Sequence, residues 1–333
     1  VSSWTGKLYR RTTSKPGSRT DMISCTRSIP LLALALLIVA SCARSEAGCP
    51  PVDGTALQVL GSGGPIADDG RASSSYLIWI DGAARVLIDA GGGSFLRFGE
   101  SDASFVDLDF VGLSHFHTDH SADFPALLKS GSFSGRKRPL HVAGPEAGGP
   151  FPGLKAWLRS MLDPESGAYG YLSGFLDGTA GRPMLVSREI AGGEPETVFR
   201  NADILVEAMR VPHGIVPTVA FKVTTGDEIF VFASDQNGGN PAFVDFAERA
   251  SILVMHLVVP EEVSGAGRRL HAPPSVVGKV AAQSGAGRLV LSHFKARSLR
   301  ELDKNVALVR NGYEGDVVLA EDLACITPPS NSE

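Results

Sequence analysis

The sequence has no surplus of positive charge. Its 31 Lys and Arg stand against 36 Asp and Glu, a formal net charge of -5. No overall basic field exists to hold a polyanion, so nucleic acid is a disfavoured partner, although an acidic total leaves room for a local basic patch. Cysteine is scarce, with 4 in 333 residues, and none of them has metal-type spacing. No apolar run reaches the roughly 18 residues that cross a bilayer. The cluster Leu60-Gly61-Ser62-Gly63-Gly64-Pro65 lacks the Lys-Ser/Thr of a phosphate loop and the full dinucleotide spacing, and reads as a tight turn. No Ser-His-Asp or Cys-His arrangement, tandem repeat or low-complexity tract is visible.

What is present is enough apolar sequence, 43% of residues, to bury a large core as one domain. The first fifty residues stand apart. A basic segment leads into the apolar run Pro30 to Ala40, the outline of an export signal. Met22 makes a conventional start, which divides the chain into upstream sequence (1–21), signal (22–41), tether (42–55) and folded domain (56–327). Val39-Ala40-Ser41-Cys42 resembles a lipoprotein processing site, so export to the periplasm or outer envelope with a lipid on Cys42, and hence membrane attachment, is the expectation. With Cys25 removed and Cys42 acylated, Cys49 and Cys325 remain. Pairing and two free thiols are equally open.

Short apolar runs alternate with Gly-rich turns from Ala56 onward: Ala56 to Leu60, Ser75 to Ile80, Arg85 to Asp89 and Phe105 to Leu113. A helical pattern follows from Ser121, and Leu140 to Ala143 returns to strand. Residues 144–182 are rich in Gly and Pro and carry one helical stretch, Gly153 to Leu162, which reads as a lid or insertion. A second strand-rich half (Ile204 to Val211, Val219 to Thr224, Ile229 to Ala233) precedes alternating helices and strands. Ser298-Leu299-Arg300-Glu301 reads as a capping box opening a last helix that buries Leu299, Leu302, Val306 and Val309 and stops at Asn311-Gly312. Two strand-then-helix halves imply two packed sheets with helices outside.

The chemistry is concentrated in His115-Phe116-His117-Thr118-Asp119-His120. An apolar strand ending at Leu113 delivers three imidazoles and a carboxylate into one loop, the donor set for zinc or a similar divalent ion. With only 8 His in the chain, a merely solvated loop is a poor account of three of them beside one Asp.

This run resembles the hallmark of metallo-β-lactamase-fold hydrolases, and the resemblance extends from about Leu60 to Ile326. It implies an α/β, four-layer αβ/βα sandwich with two divalent ions, zinc first among them, at the edge between the sheets. Val86 to Gly91 resembles the motif whose Asp89 supports the metal loop from behind. Val211-Pro212-His213-Gly214, Phe232-Ala233-Ser234-Asp235 and Leu289-Val290-Leu291-Ser292-His293 look like the remaining ligand motifs, in family order. The implied set is His115, His117 and His213 on one ion and Asp119, His120 and His293 on the other, with Asp235 shared. Asp119 is also implied to orient the attacking water.

The Gly-rich opening and the helix after His120 resemble ribonuclease Z and its alkyl- and aryl-sulfatase relatives. Two departures stand out. The branch's His-Glu pair is replaced by Val254-Met255-His256-Leu257, leaving His256 as a candidate general acid or as a residue behind the ligands, with Glu261 and Glu262 near in sequence. The basic arm that grips tRNA has no counterpart in 151–182, where Lys155, Arg159 and Arg182 face Asp163, Glu165 and Asp177. Trp157 and Tyr169-Gly170-Tyr171 are candidates for an apolar rim or for ordinary packing. His271 is a further catalytic candidate; His141 reads as structural. The expectation is an exported hydrolase of a small-molecule sulfate or phosphate ester. A ribonuclease Z-like phosphodiesterase, a lactone or β-lactam hydrolase and a non-catalytic metal-binding lipoprotein are the alternatives.

Overall fold

Alternating burial shows why the first strands become the middle of a layered structure. The computed structural model describes Cys49 and residues 53–330; the expectations for 1–21, for the signal at 22–41 and for the Cys42 anchor lie outside the described residues. Strands β1 (Thr55–Gly61), β2 (Ser75–Ile80) and β3 (Ala83–Ile88) are buried almost throughout. Leu57, Val59, Tyr76, Ile78, Val86 and Ile88 enter one apolar cluster, whereas Ala56, Leu60, Leu77, Trp79, Ala84 and Leu87 enter another. Successive side chains point to opposite faces of a strand, so both faces of this sheet are covered.

The sheet is completed by β4 (Phe110–Gly112), β5 (Leu140–Pro145), β6 (Leu185–Ile190) and, at the far edge, the two-residue strand formed by Cys325–Ile326. The second sheet contains β7 (Glu196–Arg200), β8 (Leu205–His213), β9 (Val216–Thr225), β10 (Glu228–Phe232), β11 (Ile252–His256), β12 (Arg288–Ser292) and β13 (Asp316–Leu319), and the edge strand Cys325–Ile326 of the first sheet is β14. The orders are β14-β1-β2-β3-β4-β5-β6 and β13-β12-β11-β10-β9-β8-β7. Phe124, Leu127 and Leu158, from helices Phe124–Gly131 and Leu154–Leu162, pack on the outer face of the first sheet. Val277, Val280 and Val309, from helices Pro274–Gln283 and Leu302–Gly312, belong to the cluster that fills the second. The expected αβ/βα sandwich is the fold.

Strand direction positions the site. β3 and β4 run parallel, as do β10, β11 and β12, while β8 and β10 both lie antiparallel to β9. The C-terminal ends of β8, β10, β11 and β12 therefore open on one edge of the second sheet, and those of β3 and β4 on one edge of the first. Loops leaving such edges carry function because the rigid strands fix where they start.

Two expectations change. Of the two readings of residues 144–182, lid or insertion, a lid does not form: Leu154, Leu158 and Leu162 are buried in the outer layer of the first sheet, and Phe175 is buried with them. The last helix is broken into Ala296–Arg300 and Leu302–Gly312. The Ser298 hydroxyl accepts the Lys295 amide at 2.9 Å, capping the earlier short helix rather than opening a long one.

Cys49 and Cys325 are joined as a disulfide across 276 positions, tying the chain ahead of β1 to β14. In the chain-entropy view a closure this long restricts the unfolded state by about 5 kcal/mol. Cys49→Ser, or reduction of the native protein, is expected to lower the denaturant midpoint and the melting temperature without changing the metal ligands. An unchanged midpoint after verified reduction would show that the link carries no stability.

Candidate metal centre

Asp89 leaves the end of β3 in the left-handed backbone region, at φ 59°, an uncommon conformation for a residue with a side chain. This turns its carboxylate into the protein. Oδ1 accepts the Ser114 amide at 2.7 Å, and Oδ2 accepts the Ser114 hydroxyl at 2.8 Å and pairs with His120 Nδ1 at 2.7 Å. One buried side chain thus holds both ends of the loop after β4. Gly91, just beyond it, has no room for a side chain: a Cβ would lie 2.2 Å from the Asp119 carbonyl oxygen. The loop backbone can approach β3 this closely only over glycine.

His115, His117 and His213 form one group whose donor atoms lie within 4.8 Å of one another, and Asp119, His120 and His293 form a second. Asp235 stands between them, with Oδ2 at 3.4 Å from His213 Nε2 and 3.8 Å from His120 Nε2, and Oδ1 at 3.5 Å from His293 Nε2. The far nitrogens of two of these rings are engaged, His120 by Asp89 and His213 by the Leu270 carbonyl at 2.8 Å. Their Nε2 atoms are consequently turned inward, as metal-binding imidazoles are oriented by outer partners. Facing nitrogens converge, His115 Nε2 on His117 Nδ1 at 2.9 Å and His120 Nε2 on His293 Nε2 at 3.1 Å. Buried imidazole and carboxylate donors packed edge to edge fit divalent cations, and the chemistry of the set suits zinc.

His256 lies behind this layer. Its Nδ1 pairs with Asp235 Oδ1 at 2.6 Å and its Nε2 meets the Tyr76 hydroxyl at 3.3 Å, which in turn donates to Ser292 Oγ at 2.8 Å. It does not line the cleft over the site. Of the two readings open from sequence, the placement matches the residue behind the ligands, because both ring nitrogens are occupied by buried partners. Glu261 is no proton partner for it, since it caps Ser275, and Glu262 pairs with Lys304. His271 does line the cleft, a space of about 480 Å3, and its buried Nδ1 has no hydrogen-bond partner among the described residues.

Phe116 reaches the cleft wall and stacks on Trp157 with centroids 4.7 Å apart. Trp157 thus braces the metal loop rather than forming a rim. Tyr169 and Tyr171 line no part of the cleft; Tyr171 faces Lys129. His141 packs on Phe199, away from the site. Lys295, which sequence reasoning passed over, lines the cleft two residues beyond His293; its place directly after a ligand motif was the available signal.

Burial sets the charge state of these groups. It pushes His115 and His117 down, holds His271 at about 3, and with His293 beside it holds His256 at about 4. For His120 burial also opposes charge, but Asp89, through its charge and hydrogen bond, followed by Asp235 and Asp119, raises it to about 9. Burial likewise opposes ionisation of Asp119 and Asp235, yet the surrounding histidines, His293 foremost, keep both below the ordinary carboxylate value.

The family described as the Beta-lactamase superfamily domain matches residues 84–294, from β3 through the His293 motif. The chain belongs to this superfamily. It is a hydrolase of this superfamily, with the candidate ligand motifs inside the matched region. Its curated relatives include ribonuclease Z of Thermobifida fusca, 29% identical over 303 residues that cover 82% of this chain and 95% of that one. Ribonuclease Z of Mycobacterium marinum is 27% identical over 281 residues, covering 80% and 96%. Among solved structures, human tRNase Z, short form, superposes with a TM-score of 0.63 at 20% identity, over 82% of this chain and 99% of that one. The metallo-β-lactamase fold protein YhfI of Bacillus subtilis gives 0.62 at 21% identity, over 83% and 100%. These relatives overturn the expectation of a small-molecule ester with nucleic acid disfavoured. Net charge is a sum over the whole surface, and a total of -5 does not report the field at one cleft.

Because His120 holds a proton up to about pH 9 in the metal-free protein, cation binding must displace it. Apparent zinc affinity is expected to rise about tenfold per pH unit from 7 toward 9, measured by competition with a chromophoric chelator; a flat profile contradicts this coupling. Asp89→Asn, which removes the charge behind His120 without touching a donor group, should lower zinc affinity about 10- to 100-fold.

Proposed function

We propose that this chain is a zinc-dependent phosphodiesterase that cuts RNA, in the manner named by its ribonuclease Z relatives. The observation that carries the reading is the match to those relatives over 95% and 96% of their lengths, with the full ligand set converging at one cleft. His115, His117 and His213 would hold one ion and Asp119, His120 and His293 a second, with Asp235 between them. When bound, such a pair supplies Lewis acidity toward phosphoryl oxygens and lowers the pKa of water.

The chain's own groups do the rest. Asp119, at the cleft wall and 3.2 Å from His293 Nε2, accepts a hydrogen bond from the attacking water, orients it toward phosphorus and takes the proton it loses as the new bond forms. The new bond is from that water oxygen to phosphorus, and the bond broken is from phosphorus to the departing alcohol oxygen. His271, the cleft-lining ring outside that ligand set, has its buried Nδ1 3.7 Å from Asp235 Oδ1 and passes to the departing oxygen the proton that the water gives up. His256 holds Asp235 in place, and Tyr76 with Ser292 holds His256. The disulfide supports an oxidising compartment, and so export, as the setting for this chemistry.

The direct test is incubation of the full chain with a labelled tRNA transcript and with bis(p-nitrophenyl) phosphate, before and after chelation. Cleavage that disappears with chelator and returns with zinc is the expected result; absence of cleavage of both substrates by zinc-loaded protein sinks the reading. His271→Ala should cost about 100-fold or more on RNA, whose departing alkoxide needs a proton. The loss should be far smaller on the nitrophenyl diester, whose phenolate leaves unaided. Equal losses would remove His271 from proton transfer.

A further inference from the structure

We infer that Lys295 is a substrate-binding residue of this cleft, contributing an ammonium to a non-bridging oxygen of the scissile phosphodiester; the inference rests on the phosphodiesterase reading above. The side chain follows β12 and the His293 motif and lines the cleft together with Asp119, Asp235 and His271. No other Lys or Arg lines it among the described residues.

Its base is firmly placed. His293 takes a left-handed turn at φ 59°, Phe294 is tied to the β1 loop through Phe294 N to Ser62 O at 2.9 Å and Gly64 N to Phe294 O at 2.8 Å, and the Lys295 amide donates to the buried Ser298 hydroxyl. Gly64 admits this arrangement, since a Cβ there would lie 2.9 Å from the His293 ring.

The ammonium has no carboxylate at ion-pair distance among the described residues. Asp119 is engaged by His293, and Asp235 by His256, His213 and His293. On the facing loop, Asp68 accepts the Ala296 amide at 3.2 Å and Asp69 accepts the Arg71 amide at 3.2 Å. Once Asp119 and Asp235 serve as cation ligands their charge is spent, and a half-buried lysine at the same wall is left to an incoming anion. A cation so placed serves a substrate that carries negative charge at the reacting centre and gives nothing to a neutral lactone or lactam. Lysine acts here as a point charge on a flexible stem, compatible with any diester that reaches the cleft.

The test compares wild type, Lys295→Met and Lys295→Arg as zinc-loaded full chains with matched metal content and melting temperature. Two readouts are taken: steady-state hydrolysis of bis(p-nitrophenyl) phosphate, and calorimetric titration with inorganic phosphate. The expected result is a drop in kcat/KM of about 10- to 100-fold for the methionine variant, most of it in KM, with phosphate binding weakened in parallel and the arginine variant restoring most of both. Unchanged KM and phosphate affinity in the methionine variant would overturn the assignment while leaving the phosphodiesterase intact. If wild type fails to cleave the diester, the functional reading falls, and the phosphate titration still decides the lysine: loss of binding in the methionine variant supports it, and retained binding overturns it.

Discussion

The site depends on the hydrogen bonds accepted by the Asp89 carboxylate. It joins Ser114 at the start of the metal loop to His120 at its end, and the Ser114 carbonyl oxygen accepts the Val219 amide from β9 of the opposite sheet at 2.9 Å. A single buried anion thereby registers the loop against β3, and its own residue Ser114 registers both sheets against each other. Removing the anion would leave the His120 ring without the partner that protonates and aims it and would free the loop at once, which is why a group that need not touch a cation governs the geometry of those that do.

Around that anchor the fold solves an electrostatic problem. Asp89, Asp119 and Asp235 lie in one buried region with His115, His120, His213, His256, His271 and His293, and His117 sits half-buried at its edge. Desolvation alone would keep the carboxylates protonated and the rings neutral. Mutual compensation resolves this only in part: the histidines hold Asp119 and Asp235 ionised, Asp89 holds His120 protonated, and the remaining affected rings are driven neutral. Divalent cations held by this set would complete the compensation. Left-handed backbone at Asp89, Ser234 and His293 marks where the chain accepts strain to aim these groups, a cost tolerated where the surrounding structure fixes the conformation.

Much of this was legible in the amino-acid order. The spacing of His115, His117, Asp119 and His120 is local, so it survives translation into structure; His213, Asp235 and His293 were identifiable only through the resemblance to family motifs taken in order, since a lone residue at the end of an apolar run carries little by itself. The position of His256 was legible but its partner was not, since whether the ring faces the cleft or Asp235 depends on how Tyr76 and Ser292 pack behind it. Lys295 carries no motif of its own; its one signal was its place directly after a ligand motif, and the turn after β12 brings it to the cleft wall. Residues 144–182 misled as a lid because their Gly and Pro content outweighed the helical stretch at 153–162, whose Leu154, Leu158 and Leu162 are buried. Net charge misled about nucleic acid because it holds no geometry. The pairing of Cys49 with Cys325 needed the register of β14 on β1.

The central claim is that the convergent imidazoles and carboxylates form one shared two-ion centre, with Asp235 common to both halves. Elemental analysis of the purified full chain, saturated with zinc and freed of excess, tests it most directly when paired with Asp235→Ala. The account predicts two zinc ions per wild-type chain and a loss of occupancy at both halves in the variant. One ion or none in the wild type, or two retained ions in the variant, would contradict it.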